Sequence, residues 1–220
     1  MLIIAPSILS SDFYDLGKDC EDVLKCGADW IHFDVMDGHL VPNISFGVPI
    51  LESLSKKIDA FYDVHLMITD PLFYVDSFAK AGADMITFHI ESESDPYMTI
   101  EEIKSRGLKV GMTLKPGTDI KHLIPFVEMI DMVLIMTVEP GFGGQSFMGD
   151  MLPKISAIRK HADSLGMKDF LIQVDGGIDE NTAKLVVKEG ANVLVAGSYV
   201  FKYEDRKIPI NKLRSAETDL

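Results

Sequence analysis

Polar side chains that can bind a metal occur inside apolar stretches of this sequence, where an unpaired charge is costly. His32 and Asp34 alternate with apolar residues in the stretch 30–36, His65 lies between two apolar residues, and Asp175 ends another apolar run. Residues two apart in a β-strand share a face, so His32 and Asp34 are expected to point the same way. Two imidazoles and two carboxylates suit Zn²⁺, Fe²⁺, Mn²⁺ or Co²⁺. The sequence therefore predicts one divalent metal ion per subunit, with Zn²⁺ or Fe²⁺ favoured.

A single histidine on an apolar strand is more often a hydrogen-bonded core residue than a ligand. The convergence of four polar groups favours a metal, because buried charges are normally paired or metal-bound. The other histidines are left outside the predicted site, three because they lie in loop or helix-surface contexts and one because it ends a strand without a polar partner: His39, His122, His161 and His89.

Glycine clusters follow three of the apolar runs and are candidates for anion binding. Because glycine has no side chain, its backbone N–H group can approach phosphate oxygens closely. One glycine after a strand is more often part of a turn, whereas three clusters on neighbouring loops favour a phosphate site. The clusters are Gly141, Gly143 and Gly144; Gly176 and Gly177; and Gly197 with Ser198.

Three methionines, Met36, Met67 and Met136, end inward-facing positions of apolar runs. The simpler interpretation is packing, since methionine fills irregular gaps in a core. The alternative is that their polarisable sulfur atoms line the reacting carbons without offering protons. The adjacent candidate metal ligands favour this second role.

These residues must be positioned by the elements around them, and short apolar runs alternate with helix-patterned stretches along the chain. This order is typical of parallel strands joined by helices. Eight strands are predicted, at 3–7, 30–36, 61–67, 85–89, 109–114, 132–138, 170–175 and 193–196. Helical patterns lie at 13–25, 48–57, 71–81, 99–106, 120–127, 151–164 and 180–189.

The joints from helix to strand repeat Gly-Ala-Asp or Gly-Ala-Asn at 27–29, 82–84 and 190–192, which indicates one unit used repeatedly. Eight such units close into a barrel, and no dinucleotide-binding fingerprint follows the first strand. The predicted fold is therefore α/β, a single (β/α)8 TIM barrel. The candidate metal ligands fall at or near the C-terminal ends of their strands, where barrel enzymes carry their chemistry.

The chain has 220 residues and is expected to form one domain over residues 1–220. Its formal net charge of −13 argues against a general affinity for nucleic acid or anionic membranes, which require a cationic face. The expected partner is a small molecule, and a homo-oligomer is expected. No apolar run approaches the ~18 residues that span a bilayer and no leader pattern is found, so a cytoplasmic location is expected. After residue 201 we expect a short closing helix and a frayed end.

Seven stretches, distributed from the first predicted strand to the eighth, closely resemble the ribulose-phosphate 3-epimerase family. They are 5–10 (APSILS), 32–39 (HFDVMDGH), 41–44 (VPNI), 63–67 (DVHLM), 136–145 (MTVEPGFGGQ), 174–177 (VDGG) and 195–198 (VAGS). The resemblance implies a barrel of the ribulose-phosphate-binding type and a step of pentose phosphate metabolism.

The resemblance also implies roles for individual residues. His32, Asp34, His65 and Asp175 would bind the metal, with Asp34 and Asp175 as acid and base. The substrate would contact Ser7, His65 and Asp175, and its phosphate would bind the glycine loops. The residues implied at those loops are Gly141, Gly143, Gly144, Gly176, Gly177, Gly197 and Ser198, with Met36, Met67 and Met136 lining the reacting carbons.

The implied reaction interconverts D-ribulose 5-phosphate and D-xylulose 5-phosphate at carbon 3 through a metal-stabilised enediolate. The nearest alternative is a hexulose (allulose) 6-phosphate 3-epimerase with the same machinery, although the retained glycine pairs favour the pentulose. A sugar- or nucleotide-phosphate decarboxylase would resemble an Asp-x-Lys-x-x-Asp pattern, and residues 34–37 lack the lysine. A catalytically silent metal- or phosphate-sensing barrel is the third alternative, but both acid/base aspartates are present.

Overall fold

The computed structural model describes residues 2–218 and contains eight β-strands. All the strand-to-strand ladders are parallel, in the order β1-β8-β7-β6-β5-β4-β3-β2. The strands are β1 Ile3–Ala5, β2 Trp30–Met36, β3 Phe61–Met67, β4 Met85–His89, β5 Lys109–Leu114, β6 Met132–Met136, β7 Leu171–Asp175 and β8 Val193–Val195.

The gap between β1 and β2 is bridged by backbone contacts rather than by a full ladder. The Asp29 amide donates to the Ile4 carbonyl oxygen (2.9 Å) and the His32 amide donates to the Pro6 carbonyl oxygen (3.1 Å). Ser7 also forms an isolated parallel bridge with His32. These contacts bring the two edges together, and the predicted (β/α)8 barrel is confirmed.

The described part of the chain contains eight α-helices. They are α1 Leu16–Lys25, α2 Val48–Ser55, α3 Pro71–Lys80, α4 Pro96–Ser105, α5 Leu152–Ser164, α6 Thr182–Lys188, α7 Ser198–Phe201 and α8 Lys207–Arg214. Helix α8 agrees with the expected closing helix. The expected frayed end and the ends of the predicted 1–220 domain include residues 1 and 219–220, which lie outside the described residues.

The α-helix predicted over 120–127 is wrong. The segment forms two 3-10 helices, Ile120–His122 and Ile124–Met129. Backbone bonds here span three residues, as in Leu123 N to Ile120 O (2.9 Å). Pro125 has no amide hydrogen to continue an α-helical ladder through this point, so β5 and β6 are joined by this shorter connection.

The repeated joints have a structural explanation. Gly27, which ends α1, has a φ of +101° that favours glycine. Two residues on, Asp29 Oδ2 accepts the Ile4 amide of β1 (2.7 Å), and Asp84 Oδ2 accepts the Tyr62 amide of β3 in the same way (2.8 Å). Each joint thus ends one helix and ties the start of the preceding strand.

Successive side chains along each strand point alternately to the helices and to the barrel interior, which gives two buried layers. On β2, Ile31, Phe33 and Val35 belong to the main apolar core under the helices. The intervening His32 and Asp34 face the barrel interior, where register pairs them with Asp63 and His65 of β3. The barrel therefore positions polar side chains from adjacent strands side by side.

Candidate active site

Four side chains converge at the C-terminal end of the barrel: His32, Asp34, His65 and Asp175. One ligand atom from each lies within 4.8 Å of those of the others. His32 and His65 are fully buried, and 3% of Asp34 is exposed. The group predicted from the sequence is thus brought together by β2, β3 and β7, and it could hold a cation.

Asp34 lies at the centre of this group. Its Oδ1 atom is 3.2 Å from His32 Nε2 and 3.1 Å from His65 Nδ1. Its Oδ2 atom accepts the Ser7 hydroxyl at 2.5 Å. One carboxylate therefore faces both imidazoles while a serine holds its second oxygen.

The two carboxylates have opposite electrostatic environments. Burial alone would raise the pKa of Asp34, but the His32 and His65 imidazoles hold that pKa well below its ordinary value. Burial, assisted by the Asp34 charge, raises the pKa of Asp175 to about 6. Two carboxyl groups with divergent pKa values can serve as an acid and a base.

Asp63 supports His32 from below and was not singled out from the sequence. Its Oδ2 atom lies 2.7 Å from His32 Nδ1 and also accepts a hydrogen bond from Gln173 Nε2. A carboxylate at Nδ1 leaves His32 Nε2 pointing to the cluster. The available signal was the two-residue spacing of Asp63 and His65, which gives them the same inward face.

The cluster fits a divalent cation on two observations. His32 Nε2 is buried and has no hydrogen-bond partner, which is costly for an imidazole nitrogen unless something binds it. The carboxylates of Asp34 and Asp175 face this nitrogen and that of Asp63 faces His32 Nδ1, and across residues 2–218 no lysine or arginine pairs with them. Nitrogen and oxygen donors together with excess buried negative charge are the chemistry of a transition-metal site.

A cavity of about 370 Å³ opens above the cluster. Asp34 and Asp175 lie on its wall, whereas His32 and His65 are buried beneath it. The other predicted site residues on the wall are Ser7, Gly141, Gly143, Gly144, Gly176, Gly177, Gly197, Ser198, Met36, Met67 and Met136. Lys202, which the sequence reasoning missed, is the one cationic side chain on this wall in the described part of the chain.

The prediction that His89 has no polar partner is wrong. His89 is fully buried at the end of β4, and its Nε2 atom lies 3.0 Å from His65 Nε2. On its other side, Nδ1 is 3.4 Å from Glu91 Oε2. His89 therefore belongs to the surroundings of the cluster. The sequence could not reveal this contact, because it depends on how β3 and β4 are packed.

Fold and site together define a (β/α)8-barrel protein with a candidate divalent-metal centre beneath a glycine-lined cavity. A profile described as the ribulose-phosphate 3 epimerase family matches residues 3–201. The chain belongs to this family, as its motifs predicted, and is an isomerase.

Relatives align over almost the whole chain. Ribulose-phosphate 3-epimerase of Bacillus subtilis (strain 168) is 49% identical, with 99% of this chain and 100% of the relative covered. The cytoplasmic isoform of Oryza sativa subsp. japonica is 45% identical, with 97% and 93% covered. A solved 3-hexulose-6-phosphate synthase has a TM-score of 0.71 at 18% identity, covering 98% and 99% of the chains, and indicates the fold alone.

Proposed function

We propose that this protein interconverts D-ribulose 5-phosphate and D-xylulose 5-phosphate, with Asp34 and Asp175 as acid and base. The observation that carries the proposal is the pair of carboxyl groups, from β2 and β7, on the wall of one cavity with pKa values shifted in opposite directions. The name of the Bacillus subtilis relative supports the reaction.

Inversion at carbon 3 removes a proton beside a carbonyl group and returns a proton to the opposite face. Asp34, held ionised by its imidazole neighbours, removes the proton of ribulose 5-phosphate. Asp175, whose pKa is raised by burial and by the Asp34 charge, holds the second proton and delivers it from the other side. The two residues exchange roles in the reverse direction. The Ser7 hydroxyl donates a hydrogen bond to Asp34 Oδ2 and keeps it in place, and it would also contact the substrate.

His32, Asp34, His65 and Asp175 would hold the cation, for which Zn²⁺ or Fe²⁺ is favoured over Mn²⁺ or Co²⁺. When bound, such an ion supplies Lewis-acid stabilisation of negative charge on the substrate oxygens. Asp63 orients His32 toward the same point. His65 is buried beneath the cavity wall. It would therefore act near the substrate as a member of the four-residue ligand group.

The phosphate would bind at the glycine end of the cavity. Backbone N–H groups of the loops after β6, β7 and β8 supply donors there, and Ser198 adds a hydroxyl. Lys202 adds a positive charge to a protein whose net charge is −13. Met36, Met67 and Met136 would line the reacting carbons with groups that cannot exchange protons at neutral pH.

Incubation with ribulose 5-phosphate in D2O tests the reaction. We expect nuclear magnetic resonance spectra to show xylulose 5-phosphate with deuterium at carbon 3. Parallel kinetics with allulose 6-phosphate distinguish the hexulose alternative, which would be supported by a higher kcat/KM for the six-carbon substrate. Absence of both turnover and exchange would refute the proposal in favour of a silent barrel. Elemental analysis of protein purified without chelator would identify the cation.

The assembly and location are part of the same proposal. No helix within residues 2–218 has the length and apolar character needed to cross a membrane. We place the enzyme in the cytoplasm by analogy with the cytoplasmic rice isoform. A homo-oligomer is supported by exposed apolar side chains at the starts of α3 and α4, including Phe73, Tyr97 and Met98. Sedimentation of a monomer at micromolar concentration would contradict it.

A further inference from the structure

A chain of polar contacts leads from the candidate active site to the loop after β4. His65 uses both ring nitrogens: Nδ1 lies 3.1 Å from Asp34 Oδ1, and Nε2 lies 3.0 Å from His89 Nε2. The two imidazole rings are nearly parallel, with an interplanar angle of 18°. Two nitrogens at this distance form a hydrogen bond only when one carries the hydrogen and the other does not. The tautomers of the two histidines are therefore linked.

Glu91 lies at the other end of this chain. Its Oε2 atom is 3.4 Å from His89 Nδ1, and its Oε1 atom accepts the Lys115 amide at 2.8 Å and the Thr118 hydroxyl. Burial alone would raise the pKa of Glu91, but the contacts with His89, Thr118 and Lys115 lower it to about 2. Glu91 is thus an ionised carboxylate that can only accept hydrogen bonds.

His89 is fully buried between the His65 imidazole and the Glu91 carboxylate, and a neutral imidazole carries a single ring hydrogen. Facing an ionised carboxylate, that hydrogen is most stable on Nδ1. His89 Nε2 then carries no hydrogen, and its lone pair accepts a hydrogen bond from His65 Nε2. A neutral His65 with its hydrogen on Nε2 presents the Nδ1 lone pair to the cluster, as a metal ligand must.

The opposite arrangement of hydrogens is disfavoured at two places. It would put the His65 hydrogen on Nδ1 and leave the His89 Nδ1 lone pair facing the Glu91 carboxylate. Both His89 Nδ1 and Glu91 Oε2 are buried, and within residues 2–218 neither has a polar contact other than the 3.4 Å approach to the other. Two facing acceptors without a hydrogen are costly when buried.

We propose that Glu91 and His89 are positioning residues that select the tautomer of His65 able to bind a cation through Nδ1. This inference rests on the proposed cation site. It adds two residues from β4 and the loop after it, neither of which lies on the cavity wall. The arrangement also explains why the fully buried His89 lies between a candidate ligand from another strand and the partly buried Glu91 carboxylate.

The affinity for Zn²⁺, measured by competition with a chromophoric chelator, tests this Glu91–His89–His65 relay without relying on turnover. His89→Phe keeps an aromatic ring beside His65 but removes both nitrogens. Glu91→Gln keeps an oxygen for Lys115 and Thr118 while offering an N–H group to His89. Support for metal-bound histidines of this kind is typically worth about 10–100-fold in metal affinity. We expect a loss of that size in each variant.

Glu93→Gln is the matched control, because Glu93 is an exposed glutamate in the same loop as Glu91. We expect its Zn²⁺ affinity to equal that of the unmodified protein. Thermal unfolding of each metal-free variant monitors folding. Unchanged Zn²⁺ affinity in folded Glu91→Gln or His89→Phe would overturn the relay. If the unmodified protein binds no divalent cation, the proposed cation site itself fails, and the two failures are therefore distinguishable.

A measurement on the unmodified protein covers the case in which both variants fail to fold. Two-bond ¹H–¹⁵N spectra of the zinc-loaded protein distinguish protonated from unprotonated ring nitrogens. We expect the His89 hydrogen on Nδ1 and the His65 hydrogen on Nε2. A His89 hydrogen on Nε2 would refute the proposal whatever the variants do.

Discussion

Replacing Gly177 by alanine tests whether the loop after β7 binds the substrate phosphate through its backbone. Gly177 has a φ of +64°, and an added Cβ would lie 2.5 Å from the Phe147 amide nitrogen. The left-handed conformation costs an alanine about 1–2 kcal/mol. Overlap with backbone atoms cannot be relieved by rotating a side chain, so the loop must move, at a further cost of about 1–3 kcal/mol.

The summed cost of about 2–5 kcal/mol corresponds to a fall in Tm of about 4–20 °C for a protein of this size. Gly107→Ala is the matched control, since Gly107 has a φ of +76° with open space around it and lies between α4 and β5. It should show only the backbone penalty, a fall of about 2–8 °C, with an unchanged KM. Gly144, with a φ of +73° and open space on the cavity wall, is the intermediate case.

Scanning calorimetry and steady-state kinetics give the two readouts. Movement of the Gly177 loop should remove at least one hydrogen bond to a charged phosphate, which is worth about 1.5–3 kcal/mol, or about 10–100-fold in KM. We expect kcat to change less, because the carboxyl pair is untouched. If Gly177→Ala lowers Tm by the expected amount and leaves KM unchanged, the phosphate does not bind this loop.

Three further experiments address the Asp34–Asp175 carboxyl pair, the Lys202 side chain on the cavity wall and the buried Cys20 thiol. Asp175→Asn should reduce turnover by about 10²–10⁴-fold yet retain inhibition by inorganic phosphate. Deuterium exchange at carbon 3 of ribulose 5-phosphate should persist in Asp175→Asn but vanish in Asp34→Asn. Near-normal turnover in Asp175→Asn would defeat the assignment. Lys202→Met should raise KM up to about fivefold at low salt and less at high salt. Lys57→Met, an exposed change at the other end of the barrel, should leave KM unchanged. Equal KM values in the unmodified protein and both variants would exclude a role for Lys202. Burial raises the pKa of Cys20 from 9.0 to about 12, so the folded state holds the proton more tightly and the associated stability is lost as the pH rises from 9 to 12. Cys20→Val should therefore lose less free energy of unfolding than the unmodified protein between pH 9 and pH 11, and identical pH profiles would contradict this.

Much of the barrel could be predicted because its strands carry a strong local pattern. The predicted bounds of β2 agree with the structure, since alternating apolar and polar residues leave little freedom of interpretation. Between 120 and 127 the apolar pattern indicated a helix, but Pro125 prevents an α-helical ladder, and the result is 3-10 helix. The local hydrophobic pattern thus predicts the type of an element well, except where a single residue such as Pro125 removes a backbone hydrogen-bond donor.

The candidate site was predictable in part for a different reason. His32, Asp34, His65 and Asp175 are unusual within their own strands, so each is visible without knowledge of its neighbours. The contact of His89 with His65 has no such local sign, because it depends on the stagger and packing of β4 against β3. Contacts across strands become visible only when register is known.

Both candidate ligand histidines are supported by a carboxylate, and barrel geometry explains why the two supports differ. His32 reaches Asp63 directly at 2.7 Å, because Asp63 is its register partner on β3. The register partner of His65 on β4 is Thr87, which offers no charge, so the carboxylate is reached through His89 two residues further along. Apolar replacement of such buried polar groups has stabilised other proteins by about 1–4 kcal/mol. A barrel interior selected for stability alone would therefore be apolar here, and the polar one is explained by the need to hold a cation and move protons.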